Sequence, residues 1–555
     1  MTSADPSSSR DQRSELVFAL VGAAGTRLDK LSLALKSELK TFGYQPVDIH
    51  LSDLLENFSG WKDQTGTTEF DRIRHRQDMG NAFRTQFKNG DALARAGIAE
   101  IRAERARLSK TKSPDDPAPA HAYILHQLKH PAEVDLLRRV YGPSFFLIAG
   151  HAPRVLRVKD LGEQMAQKEG HPGKGFEFEG DARKVISHDE KEEDDFGQNV
   201  RDTYPKADFF ADLGASKLRT SREWEVARFV DLLFGHPFRT PNPDEYAMYL
   251  ASAVSLRSSD YNRQVGAVIV SLIREVVVSF PRDVNPSDDN RKGRITNADV
   301  IAVGMNEVPR GGGGFYWDQE SPDNRDQGLL LQRKGDRAYD IKVSTLAELI
   351  ERIAHQQWLK ETVSAKAIDL ARELLPKLKG TQFLNIGEFS RPVHAEMAAI
   401  IDAARRGVAV DGHSIYVTTF PCHNCAKHII AAGLQRVVYL EPYPKSRAEF
   451  LHGEEITLET LPGEEETGKV AFSAFTGVAP RQYRQLFSMS ERGAKKGILV
   501  TEWDADRLSL APLYVPQNAS LLYLDAERKV LENLPRDIYD RDKTSMVVQV
   551  PAPSA

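Results

Sequence analysis

The sequence predicts an α/β protein of two domains: a parallel sheet covered by helices in the amino-terminal half, and an α/β/α sandwich around a mixed sheet in the carboxyl-terminal half. Three observations lead there. Short apolar runs alternate with helix-period segments before Ser221, the pattern of strands joined by covering helices. From Asp244 the order becomes helix, two strands, helix, strand, helix, strand. Between the halves, Pro237-Phe238-Arg239-Thr240-Pro241-Asn242-Pro243 places three prolines in seven residues, which disfavours helix and marks a boundary.

After a polar tail, Glu15-Leu16-Val17-Phe18-Ala19-Leu20-Val21 reads as a buried strand. It leads to Gly22-Ala23-Ala24-Gly25-Thr26 and then to a periodic helix from Leu28 to Leu39. Strand, glycine turn and helix is how a P-loop opens, so Gly22, Gly25 and Thr26 are expected to bind nucleotide phosphate. The loop departs from G-x-x-x-x-G-K-[S/T], because a register starting at Gly22 puts Arg27 at the second glycine and Leu28 at the lysine. A nucleotide-binding module impaired in phosphoryl transfer and a bare structural turn both fit it. Further strands are expected at Val47–Leu51, Ala122–Leu125, Phe145–Ala149 and Asp208–Leu213, and the acidic run Asp189–Asp195 as a solvated loop or helix face. The expected division is a tail (1–14), a P-loop-like domain (15–220), a linker (221–243), a second domain (244–496) with a charged insertion (318–390), and a carboxyl-terminal extension (497–555).

The second domain holds the sharpest chemistry. Both cysteines of the chain lie in Pro421-Cys422-His423-Asn424-Cys425, following His394-Ala395-Glu396 at a spacing of 28 residues. One imidazole and two thiolates suit tetrahedral zinc and leave its fourth position open, while Glu396 is free to move protons. Residues i and i+2 of a helix point about 200° apart, so His394 and Glu396 must sit at a helix start. Met397–Arg406 is rich in helix formers and ends at Gly407, and Pro421 fits the first turn of a second helix reaching Gly433. Ser414–Phe420 and Arg436–Leu440 read as strands beside them. A closed structural zinc site with His423 or His428 as fourth ligand is the alternative.

Composition limits the partners. Formal net charge is −5 with 28% charged residues, so no global basic field holds a polyanion. The sequence holds no apolar run of about 18 residues, and its first residues lack a hydrophobic signal core, so a soluble cytoplasmic protein with no membrane partner is expected. Two cysteines committed to a metal fit a reducing compartment.

The H-x-E and P-C-x-x-C pair is the signature of zinc nucleobase deaminases. With RQVGAVIV, GMNEVP, PVHAEMAAI, YVTTFPCHNCAKHI and VVYLEPYPKS, residues 244–496 resemble the deoxycytidylate deaminase branch of the cytidine deaminase superfamily. HAYILHQLKHPAEVDLLRRVYGPSFFLIAG and YPKADFFADL extend the resemblance to bacterial anti-phage dCTP deaminases over nearly the whole chain. The resemblance implies a cytidine deaminase-like α/β/α sandwich, Zn²⁺ on His394, Cys422 and Cys425, and Glu396 as proton shuttle. It implies hydrolysis of a deoxycytidine nucleotide, dCTP to dUTP and ammonia, depleting a phage precursor. Asn306 takes the place of a substrate-contacting asparagine, and Arg263, Tyr443 and Lys445 are expected at the phosphate end. A homo-oligomer, and a nucleotide, protein or RNA regulator at the amino-terminal domain, are also implied. A dCMP deaminase of nucleotide metabolism, a regulated sensor and a nucleic-acid-editing deaminase stay open as alternatives.

Overall fold

The computed structural model describes residues 13–62, 68–109, 111–190, 197–214, 219–260, 263–271, 274–279, 292–320, 323–325, 337–356, 366–378, 381–385, 390–441, 446–458, 468–489, 492, 499–517, 519–532 and 534. The chain divides into two compact units. One comprises Met1–Tyr249, Leu440–Pro442 and Thr457–Ala555, the other Leu250–Tyr439 and Tyr443–Ile456.

The first unit is built on β1 (Leu16–Val21), all of whose residues are buried, as an apolar run at the centre of a parallel sheet should be. The helix α1 (Leu28–Thr41) follows, burying Leu28, Leu31, Leu35 and Leu39 at a spacing of three and four residues. Then come β2 (Gln45–His50), α2 (Glu69–Phe87), α3 (Ala92–Leu108), β3 (His121–His126) and α4 (Pro131–Tyr141). The alternation continues with β4 (Phe145–His151), α5 (Arg154–Lys168), α6 (Gly175–Glu190), β5 (Phe209–Asp212) and α7 (Arg219–Leu233). The strands stand in the order β5-β4-β1-β3-β2, each pair parallel, and Gly477–Val478 adds an antiparallel edge beside β5. All four later strands expected from sequence form here. Because the five strands are parallel, the turn after β1 and the ends of β3 and β4 lie along one edge of the sheet, where ligands of open α/β sheets bind.

The carboxyl-terminal helix Ala519–Glu532 belongs to this unit as well. Arg105 of α3 is fully buried; its Nε donates to both Glu15 oxygens at 3.0 Å and its terminal nitrogens to Glu527 at 2.7 and 2.8 Å. Tyr523 donates its hydroxyl to Glu15 at 2.6 Å. Residues 457–555 therefore group with the amino-terminal unit, and the expected linker 221–243 holds all of α7 but its first two residues.

The division falls inside α8 (Pro243–Ser255). The second unit continues with β6 (Gly266–Val270), the antiparallel ribbon β7 (Arg274–Ser279) and β8 (Lys292–Asn297), and β9 (Val300–Met305). The helices α9 (Arg337–His355) and α10 (Ala367–Leu374) lie in the charged insertion, packed on their own core of Val343, Leu346, Ile350 and Ala371. After them come α11 (Ala395–Arg405), β10 (Ser414–Thr419), α12 (His423–Ala431) and β11 (Arg436–Glu441). These four strands stand in the order β11-β10-β6-β9, with β10–β6 and β6–β9 antiparallel.

Two glycines let helices lie directly on this sheet. A Cβ on Gly266 would meet the Ala251 carbonyl oxygen of α8 at 1.9 Å. One on Gly304 would meet the Ala395 oxygen and the Ala399 nitrogen of α11, each at 2.3 Å. Backbone cannot yield as a flexible side chain does, so Gly304→Ala must push α11 off the sheet. We expect a loss of about 1–3 kcal/mol, and, because α11 begins at His394, reduced zinc occupancy. Melting curves and metal analysis of the purified variant test this; wild-type values in both would show that α11 does not depend on this close approach.

Candidate metal centre

Two helix starts converge on one point. His394 is the N-cap of α11 and Cys422 the N-cap of α12, both with extended backbone, while Cys425 lies one turn into α12. The N-cap position solves the geometric problem of an H-x-E triplet: His394 leaves the helical twist before it begins, so Glu396 in the first turn can share its side. Pro421 stands just before the N-cap and not in the first helical turn, and its carbonyl accepts the Ser446 hydroxyl at 2.8 Å.

His394 Nδ1 lies 3.4 Å from Cys422 Sγ and 3.3 Å from Cys425 Sγ, and the three ligand atoms all fall within 4.8 Å of one another. Metal–nitrogen and metal–sulfur distances of about 2.0 and 2.3 Å at a tetrahedral angle require an edge of about 3.5 Å. The spacing therefore fits zinc, and a donor set of one imidazole and two thiols fits it chemically. Neither His423 nor His428 joins the cluster among the described residues; His428 Nδ1 instead pairs with the Asn424 carbonyl at 2.6 Å.

The three ligand side chains and Glu396 perturb one another strongly. Hydrogen bonding from Cys425, and then from His394, overcomes burial and lowers the Cys422 thiol to about 4. His394 is raised to about 9, chiefly by its hydrogen bond to Cys422. Cys425 is pushed well up by its hydrogen bond to Cys422 and by burial. Metal ligation needs neutral imidazole and thiolate, so zinc must displace the His394 and Cys425 protons. Glu396 is 4% exposed, and burial followed by the Cys422 charge raises its carboxyl above the ordinary range. A buried carboxyl of raised pKa beside a nucleophile-generating metal is suited to taking and returning protons.

Residues 241–441 match the family model for the cytidine and deoxycytidylate deaminase zinc-binding region. The match is confined to this segment, a little over a third of the chain. It contains every member of the cluster, and its zinc-binding character agrees with the His394, Cys422 and Cys425 geometry. Deoxycytidylate deaminase of Enterobacteria phage T2 is 46% identical over 55 residues, covering 10% of this chain and 29% of that protein. ComE operon protein 2 of Bacillus subtilis (strain 168) is 50% identical over 54 residues, again 10% and 29%. The chain thus spans under a third of the length of these curated relatives. Among solved structures, dCMP deaminase from the cyanophage S-TIM5, in complex with dCMP and dUMP, aligns at 15% identity with a TM-score of 0.21, covering 42% of this chain and 99% of that one.

The other expected site residues divide. Asn306, 8% exposed, spends its amide on the backbone: Nδ2 donates to the Arg263 carbonyl and Oδ1 accepts from Val265 N, each at 2.7 Å. It thereby fixes the 263–265 bend leading into β6, and Arg263 lies exposed on that bend. Tyr443 and Lys445 lie outside the described residues. Gly22, Gly25 and Thr26 form the expected turn after β1 in the first unit.

Two residues were not singled out from the sequence. Glu307, 2% exposed, accepts from Ser259 N and Oγ at 2.9 and 2.8 Å and from Val308 N at 2.8 Å, while its backbone pairs with Val393, the residue before His394. It ties the 258–260 loop to the metal-ligand segment. Arg257 lies over the Trp317 ring at 3.4 Å, its Nε buried without a hydrogen-bond partner. Only the run GMNEVP, where Glu307 follows Asn306, hinted at either.

Proposed function

We propose that the protein is a zinc-dependent hydrolase that deaminates a free deoxycytidine nucleotide, dCTP ahead of dCMP, to the uracil nucleotide and ammonia. The observation that carries this reading is a three-ligand His394–Cys422–Cys425 set with a buried carboxyl, Glu396, beside it. Zinc held there supplies the Lewis acidity that makes water nucleophilic at neutral pH. Glu396 accepts one proton from the attacking water and delivers it to N3 of cytosine as C4 becomes tetrahedral. It then carries the remaining water proton to the amine; the C4–N4 bond breaks, the C4=O bond forms, and ammonia departs. Burial of Glu396 favours the protonated form it must hold between these steps.

The whole-chain resemblance and the acidic net charge of −5 favour a free nucleotide over a polymer, and the two-domain resemblance favours the triphosphate and a role in depleting dCTP during phage infection. The names of the T2 relative and of the dCMP-bound cyanophage structure favour the monophosphate as the second reading. Among the described residues no helix is long and apolar enough to cross a membrane, and both thiols are free, in keeping with the cytoplasm, where the nucleotide pool is found.

Chromatography of the uracil product from dCMP, dCTP, CTP and single-stranded DNA tests both levels. Deamination of dCTP with the highest kcat/KM is the expected result. A dCMP-to-dCTP ratio well above one overturns the triphosphate preference, and activity confined to the polymer overturns the nucleotide reading.

A further inference from the structure

The glycine turn after β1 is not empty. Ala24 N, the donor at its centre, is bonded at 2.7 Å to Oδ2 of Asp189, in the last turn of α6 and 165 residues distant in sequence. Asp189 was expected to open a solvated acidic run, yet it is 2% exposed. The reason is a cation: Lys129, in the loop after β3, donates Nζ to Asp189 Oδ1 and Oδ2 at 2.9 and 3.2 Å and stands 3.5 Å from the Gly22 carbonyl. A carboxylate bridging a turn amide and an ammonium group offsets its own desolvation, which an unpaired one could not.

We propose that this turn is a phosphate site held shut by the chain's own Asp189. Its parts are those a phosphate requires: a backbone N–H in the turn that leads into a fourteen-residue helix, an ammonium group and shelter from water. Lys129 supplies from a different strand end the cation that the P-loop register places at Leu28, where it is missing. The turn also holds the Thr26 hydroxyl, 7% exposed and without a hydrogen-bond partner, its Cβ 3.3 Å from where a Gly22 side chain would begin. That orphan oxygen is a ligand position that the Asp189 carboxylate does not fill. A carboxylate brings two oxygens and one charge, whereas a terminal phosphate brings three oxygens and up to two charges, enough to engage Ala24 N, Lys129 and Thr26 together. Gly25 is fixed for a separate reason: its φ is +83°, and a Cβ there would lie 2.6 Å from the Arg157 carbonyl of α5. The turn therefore keeps its shape whichever anion occupies it. Withdrawal of the carboxyl end of α6 admits the ligand, the phosphate chain of a polyphosphate or nucleotide. This inference does not depend on the deaminase reading, since all of these residues belong to the first unit.

The test is calorimetric titration of inorganic tripolyphosphate and of ATP into the full chain and into Asp189→Ala and Asp189→Asn, the second keeping the side-chain shape should the first fail to fold. Tripolyphosphate is expected to bind the substituted proteins at least tenfold more tightly than wild type, and Lys129→Ala added to either is expected to remove the gain. Equal gains for tripolyphosphate and ATP assign the site to phosphate itself; a larger gain for ATP assigns it to a nucleotide. Folded Asp189 variants with no gain, or a wild type that already binds as tightly, would overturn the proposal and leave Asp189 as a strut between α6 and the turn.

Discussion

Glu396→Gln is expected to keep one zinc per chain and a wild-type melting curve while losing deamination by at least about 10²–10⁴-fold, the usual contribution of a general acid–base group. Glutamine matches the shape of the glutamate and cannot shuttle a proton. Stability should hold because glutamine keeps the size and the hydrogen-bonding capacity of this buried side chain, so no cavity is opened. The residue lies in the first turn of α11 and is not one of the three ligand side chains, so metal content separates its role from theirs. Ammonia release from dCTP, read beside metal analysis, decides the matter: near-wild-type turnover in a zinc-loaded variant would remove Glu396 from the chemistry.

Cys422→Ala should lose the metal as well as the activity. Cys422 is the ligand whose thiol is lowered to about 4, so at neutral pH it is already a thiolate with no proton for zinc to displace. Without it two ligands remain, and structural zinc sites draw much of their folding energy from a complete set. Zinc stoichiometry should fall from one to near zero and the metal-dependent part of the melting transition should go with it. His428→Ala serves as the control, because His428 bonds a carbonyl of its own helix one turn back and should retain one zinc per chain. Zinc loss in that variant would revive the closed four-ligand site.

The metal centre was legible in the sequence because its chemistry is compressed. His394, Glu396, Cys422 and Cys425 sit at the starts of two helices whose ends are written as Gly407 and Gly433, both with positive φ in the structure. The strands were legible for a related reason: β1 and β6 are apolar throughout and β4 is apolar from Phe145 to Ala149, as strands covered on both faces must be. Contacts that join distant segments leave no such local trace. Asp189 reads as one more charge in an acidic run until Lys129 and Ala24 are placed beside it. That the Asn306 amide braces the 263–265 backbone is likewise visible only in the fold. Nor does any periodicity announce that residues after Thr457 close the core begun at Leu16.

That closure bears on how the protein is made. Glu527 and Tyr523, which complete the buried set around Arg105 and Glu15, leave the ribosome 422 residues after Arg105 and 508 residues after Glu15 respectively. Until they emerge, Arg105 of α3 has Glu15 and the Pro114 carbonyl beside its guanidinium but lacks Glu527, and removing a partner from such a buried pair costs about 3–5 kcal/mol. The intervening unit, by contrast, is bounded by Ile456. The expected result is that the middle of the chain matures before the amino-terminal unit does. A nascent chain stalled before Ala519 should be cut by protease within β1 to α3 and protected within β6 to β11.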